Sequence, residues 1–211
     1  MSRLPRRVDH ILYGVPDLDA GMADVEDRLG VRPVPGGRHE AYGTRNALVA
    51  LGPTTYLEVI APDPELPPPA RGRLFGLDAL EGGRLVTWVL RRKRIEEAAR
   101  RARSRGVGLG PVQAGSREKP DGSVLTWRLT DPRAMPMHGV VPFLISWGDT
   151  PHPAGSAPDA GELVGLSLRH PEPEAVRDAL SALGVEAPVE EAPRPGLSAT
   201  VRTGAGEATL R

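Results

Sequence analysis

Cysteine is absent from the 211 residues, and that absence excludes disulfides, thiolate metal ligands and a cysteine nucleophile. With no disulfide to mark an oxidising compartment, and no apolar core in the N-terminal stretch MSRLPRRVDH of the kind a signal peptide carries, a cytoplasmic location is expected. No apolar run approaches the roughly 20 residues of a membrane span, so no membrane partner is expected. Neither sign of charge is in excess: 27 Lys and Arg balance 27 Asp and Glu, which removes any global pull toward nucleic acid. There is also no phosphate-binding glycine loop with its lysine, no serine elbow and no dinucleotide fingerprint.

What the chain does have is punctuation and repetition. Its 25 Gly and 23 Pro break it often, as expected of short strands joined by turns. Three segments share one pattern, an apolar strand followed by a helix and a terminal glycine–valine step. They are VDHILYGVPDLDAGMADVEDRLGV, LVTWVLRRKRIEEAARRARSRGV and LVGLSLRHPEPEAVRDALSALGV, closing at Val31, Val107 and Val185, 76 and 78 residues apart.

The first unit opens with a strand over Val8–Val15, stopped by Pro16. Asp17 is the expected helix N-cap, and Leu18, Met22, Val25 and Leu29 fall on one stripe at helical spacing before Gly30. A turn at Pro35–Gly37 precedes two short strands in HEAYGTRNALVALG. TTYLEVIAP then reads as a strand alternating Tyr56, Glu58 and Ile60 against Leu57 and Val59. The proline run Pro67–Pro69 marks a connector, and Leu74–Leu80 is predicted as a short helix docking Phe75. The second unit starts at Leu85–Leu90, carries a helix supported by Glu96–Arg100 and Glu97–Arg101 pairs, and continues with strands SVLTWRLTD and VVPFLISWG. After a Pro/Gly-rich linker, the third unit ends in a hairpin turning at Gly204–Gly206.

Such units cannot each bury their apolar face alone, so they pair. The expected fold class is α+β, with repeated strand–helix–three-strand units forming an open, curved mixed sheet and helices on its outer face. The expected division is a domain over residues 1–150, built from units 8–61 and 84–149, with a smaller strand–helix–hairpin unit over 151–211 packed on it.

Five short pieces, in order, carry a resemblance: Asp9-His10 in the first strand, Gly43-Thr44 with Asn46, Tyr56-Leu57-Glu58, Pro142-Phe143 with Trp147, and His152-Pro153. Together they resemble the vicinal oxygen chelate superfamily and, within it, the glyoxalase-like domain family. The resemblance implies a cleft lined by the curved sheet, a small oxygenated or aromatic ligand, and lyase, isomerase or dioxygenase-type chemistry. It often also implies a divalent metal such as Zn, Mn, Fe or Ni. Some members of the superfamily are metal-free binding proteins, so the fold leaves the chemistry open.

Carried over residue by residue, His10 and Glu58 take the metal-ligand positions of the first and fourth strands, and an imidazole with a carboxylate suits those ions. A catalytic metal site normally takes three protein ligands. The second unit offers Thr87 or Trp88 and Ile145 or Ser146 at the corresponding places, and the third offers Gly165 and Leu210, none of them a good ligand. His39 is the candidate third metal ligand, and His152 is a candidate to fold back over the cleft. Without a metal, Glu58 in an apolar cleft suits a general base. Asn46, Tyr56, Trp88, Trp147 and His152 are the candidate ligand-binding residues.

Each choice has a plain structural alternative. His10 could be a buried histidine bonded to a carbonyl, Glu58 a carboxylate paired with an arginine such as Arg45, and any one tryptophan simple core packing. The eight basic residues of Arg91–Arg105 are interleaved with Glu96 and Glu97 and read as a solvated helix face rather than a nucleic-acid patch. Two functions therefore stand side by side: an enzyme of the glyoxalase type acting on a small molecule, and a non-catalytic small-molecule-binding protein with a degenerate metal site. With an odd number of units, one is left to pair across a two-fold axis, which would make a homodimer.

Overall fold

The computed structural model describes residues 7–118 and 121–211. Residues 1–6, part of the stretch read above for a leader, lie outside them. The first unit forms β1 (Val8–Gly14), α1 (Leu18–Leu29), β2 (Val34–His39), β3 (Thr44–Ala50) and β4 (Tyr56–Pro62). The second forms β5 (Arg84–Arg91), α2 (Ile95–Ser104), β6 (Val112–Glu118), β7 (Val124–Thr130) and β8 (Phe143–Ser146). The third forms β9 (Glu162–His170), α3 (Pro173–Ala182), β10 (Val189–Glu191), β11 (Gly196–Thr203) and β12 (Gly206–Leu210).

Local sequence explains the first helix. Asp17 accepts a hydrogen bond from the Ala20 N–H at 2.9 Å, and Gly30 ends the helix with φ 75°. That is a side-chain cap at one end and a left-handed glycine at the other. The short helix expected over Leu74–Leu80 is instead a kinked pair of 3-10 turns over Leu74–Ala79, with Phe75 at φ 58°. Pro35–Gly37, expected as a turn, lies within β2. A register shift between Pro35 and Gly37 absorbs the proline there.

The two units pair within one chain. In each, the last strand lies parallel to the first, β4 beside β1 and β8 beside β5. Antiparallel β1–β5 pairing joins them on one side. On the other, among the described residues, the pair Arg38 with Glu118 joins β2 to β6. The expected open sheet is therefore closed: eight strands run round in the order β1-β4-β3-β2-β6-β7-β8-β5. Two curved half-sheets that already meet along β1–β5 bring their far edges together, and pairing them removes two exposed edges.

The third unit does not repeat this pairing. Its order is β10-β9-β11-β12, so β12 lies at the far edge and Leu210 is not a neighbour of Gly165. The three-residue β10 takes the parallel place beside β9, and the hairpin β11–β12 takes the antiparallel one.

Along β1, β4, β5 and β8 both faces of the barrel wall are buried. Facing outward, Ile11, Leu57, Val59, Trp88 and Leu90 pack with Met22 and Val25 of α1 and with Leu166, Val176 and Val201 of the third unit. Facing inward, Leu12, Tyr56, Ile60, Val89, Phe143, Ile145 and Trp147 form a second cluster. Alternate residues of one strand thus serve two cores, the period-2 geometry of a pleated strand. The expected Glu–Arg pairs along α2 are replaced. Glu96 reaches Arg128 on β7, and Glu97 pairs with Arg94 at 3.1 Å. Arg92 donates to the Leu183 carbonyl at the end of α3, tying the basic run to the third unit.

Candidate functional site

An eight-stranded barrel leaves an interior just wide enough for side chains or one small ligand. Here it holds a cavity of about 60 Å³ whose lining includes His10, His39, Asn46, Tyr56, Glu58, Phe75, Arg117, Trp127, Phe143 and Trp147. It shares His39, Tyr42, Asn46 and Arg117 with a larger outer groove of about 820 Å³ along the β2–β6 seam.

A β-bulge builds the centre of the site. Val8 pairs with Leu90 but His10 pairs with Val89, so Asp9 is an extra residue in β1. Consecutive residues of a regular strand point to opposite faces. The bulge bends this rule and brings Asp9 against its neighbour, His10 Nδ1 lying 2.8 Å from Asp9 Oδ1. Asp9 is fully buried and also accepts from Trp147 Nε1, 3.2 Å from both carboxyl oxygens. His152 completes the set. Its Nδ1 accepts from the Ala154 N–H, which assigns its proton to Nε2, 3.2 Å from Asp9 Oδ2. Burial alone would raise the Asp9 carboxyl, but hydrogen bonds from His10 and His152 more than reverse it and hold the carboxyl well below the usual carboxylate range. The ionised Asp9 in turn assigns the His10 proton to Nδ1 and leaves Nε2 facing Glu58 Oε2 at 3.5 Å.

Glu58, on the inward face of β4, is only 7% exposed. Its partner is not Arg45 but Asn46, whose Nδ2 donates to Oε1 at 2.7 Å. Arg45 lies 3.8 Å from Asp17 instead. The Asn46 carbonyl oxygen accepts from Arg117 Nη1 at 3.2 Å, so one amide links a carboxylate to a guanidinium. Tyr56 stacks on His10, centroids 4.5 Å apart. Burial pushes its phenol well above the usual range, with the charges of Glu58 and Asp9 adding to it, so it stays protonated.

The structure brings His10, Asn46, Tyr56, Glu58 and Trp147 together, but not every candidate joins them. Trp88 faces the outer core, where its indole N–H donates to the Val140 carbonyl at 2.8 Å, so it is not a cavity residue. The pleat decides this, since Val89 takes the inward place. His152 is not a lining residue; its ring packs edge-on against Tyr56 and Trp147 and supports Asp9. His39 does line it, bonded to Thr44 Oγ1 at 3.2 Å, and burial lowers its ring to about 4, with Glu58 opposing the shift and Arg117 and His10 reinforcing it.

His39 does not complete a metal site. Among the described residues no group of three His, Asp or Glu side chains is placed to hold an ion. The second unit places no carboxylate or imidazole in the lining among the described residues; it offers Arg117, Trp127, Leu129, Phe143, Ile145 and Trp147. Thr87 spends its hydroxyl on the Gly139 carbonyl at 2.9 Å. The donor set therefore does not fit the three-ligand centre of a catalytic divalent metal. Sequence reasoning had no role for Asp9, Phe75 or Arg117. The signal for Asp9 was its position beside His10; Arg117 carried none, because its strand has no apolar alternation.

Two strand–helix–three-strand units closed round a carboxylate–imidazole pair define a protein of the glyoxalase/dioxygenase type. The family model described as "Glyoxalase-like domain" matches residues 8–184, and the chain belongs to that family, within the vicinal oxygen chelate superfamily. Among solved structures, a hypothetical protein from Staphylococcus aureus is similar over 99% of both chains, with TM-score 0.66 and 12% identity. A methylmalonyl-CoA epimerase from Mycobacterium tuberculosis aligns over 71% of this chain and 91% of its own, with TM-score 0.45 and 24% identity. The first of these likenesses speaks to fold alone. No curated protein matches the chain significantly in sequence.

Proposed function

We propose that the barrel binds a small oxygenated molecule and moves a proton on it, with Glu58 as the base and His10 as the group that shares the proton. The supporting observation is the Glu58 carboxylate itself. It is walled off from solvent among aromatic side chains, one oxygen is held by Asn46, and the other faces His10 and the cavity. A carboxylate so placed meets a bound carbon acid in low dielectric, where a general base works best. Asp9 fixes the imidazole and would stabilise it as imidazolium. No step needs a metal in this reading, and the second unit supplies an aromatic wall with one guanidinium rather than metal-type ligands.

The test is exchange of solvent deuterium into small 2-oxo and 2-hydroxy acids, followed by proton NMR. Wild type is expected to exchange the proton next to the carbonyl or carboxylate. Glu58→Gln, which keeps the Asn46 bond, is expected to lose exchange at least a hundredfold while retaining ligand binding, in line with the usual 10²–10⁴ contribution of a general base. Equal exchange in the two proteins would overturn the proposal. The second reading, a binding protein without catalysis, is favoured by the second unit's placing no carboxylate or imidazole in the lining among the described residues. Binding without exchange in wild type is its signature.

A further inference from the structure

We infer that Arg117 is the receptor for a carboxylate on the bound molecule, which makes the ligand a small acid with an apolar or aromatic body. This rests on the reading of the cavity as a small-molecule site and names the class it would take.

Arg117 sits near the end of β6, lines the cavity and is only 6% exposed. A guanidinium carries five donors in a planar fork and keeps its charge at any ordinary pH. Among the described residues, Nη1 donates to the neutral carbonyl of Asn46 at 3.2 Å, and the buried Nε has no hydrogen-bond partner. Glu58 is reached only through the Asn46 amide. Buried charges are ordinarily paired, because desolvation is costly without a counter-charge. A charged fork with spare donors at a cavity wall is an anion site in waiting, and carboxylate geometry matches the fork in a bidentate way.

The surroundings preserve this arrangement. Any side chain at Gly36 would run into Asn46 Oδ1 and Arg117 Nη1, so the bare glycine lets β2 pass over the pair. The rest of the lining is apolar or aromatic, with Phe75, Phe143, Ile145 and Trp147 opposite the polar side. The inner cavity of about 60 Å³ takes only a few heavy atoms, and a larger body extends into the outer groove of about 820 Å³, which shares Asn46 and Arg117 with it. Because one amide spans Arg117 and Glu58, an acid held on the guanidinium would lie beside the proposed base.

The experiment compares acids with their neutral, near-isosteric amides. Phenylacetate, phenylacetamide, isobutyrate and isobutyramide are titrated into the full-length protein, read by tryptophan fluorescence and by thermal shift. Trp127 and Trp147 line the cavity and report occupancy. Wild type is expected to bind at least one acid ten times or more tightly than its amide. Arg117→Gln is expected to abolish the acid preference, acid affinity falling at least ten times more than amide affinity. Equal binding of acid and amide by wild type, or an undiminished preference in R117Q, would overturn the inference while leaving the cavity reading intact. Failure of wild type to bind any of the four would overturn both. If R117Q does not fold by circular dichroism, the wild-type contrast decides, with Arg117→Lys as the second variant, expected to keep part of the preference.

Discussion

Asp9 is the residue whose removal has the widest consequences. It accepts from His10, His152 and Trp147 at once, so Asp9→Asn leaves at least one of these donors poorly matched and weakens the rest. The expected cost is about 1–3 kcal/mol of stability at neutral pH, measured by urea denaturation. The pH dependence follows from the direction of its shift. The folded carboxyl releases its proton more readily than the unfolded one, near 3.9. The stabilisation is therefore complete above that value and is lost as the pH falls below it, toward the depressed folded pKa. The acid limb of the wild-type stability curve is expected to be steeper than that of D9N. Superimposable limbs would show that Asp9 is not the ionised hub described here. At this scale the sequence was a partial guide. The ligand types of His10 and Glu58 are visible in the letters, but the bulge that turns Asp9 toward His10 belongs to the pairing with β5, which no local pattern encodes.

Among the elements, the seam between β2 and β6 is the thinnest join of the barrel among the described residues, with one residue pair across it. Gly37 sits there at φ 139°, and a Cβ on it would strike the Glu118 carbonyl. Gly37→Ala is therefore expected to part the seam at a cost of about 1–3 kcal/mol. Hydrogen exchange should show faster amide exchange along β6 than along β4, and equal protection of the two strands would count against the seam as the point of opening. The same two strands were the hardest to read. Apolar residues recur along β1, β4, β5 and β8 because both faces of those strands are buried. By contrast β2 reads VPGGRH and β6 reads VQAGSRE, with glycines and polar residues where the wall is thin. Arg117 lies on that second strand, so it could be recognised only once closure of the barrel had brought it beside Asn46.

For the molecule as a whole, one apolar cluster runs from Val8 of β1 to Leu210 of β12 and includes side chains of all three units. Backbone bonds add to it, the Leu163 N–H donating to the Leu51 carbonyl and the Leu85 N–H to that of Arg211. Although residues 1–150 and 151–211 can be separated on paper, we expect them to unfold together. Leu166→Ala, at a fully buried site of β9, is expected to cost about 2–5 kcal/mol. It should shift the cavity tryptophan signal and the far-ultraviolet signal by the same amount of urea. Two separated transitions would show instead that the third unit is an independent domain. The threefold pattern was plain from sequence, and it marked strands and helices well. Its third copy nonetheless pairs differently, because strand order depends on which partner a short strand such as β10 finds, not on the pattern of the segment itself.

The two-faced wall has a consequence for how such a protein can change. Along β4, Leu57 and Val59 face the helices while Tyr56, Glu58 and Ile60 face the cavity. Positions that hold the molecule together and positions that, on the proposed reading, meet a ligand therefore alternate in one line of text. Either set can drift while the other stays fixed, so a new ligand preference is accessible through inward substitutions alone, with the outer layer as a reserve of stability against which they are tolerated.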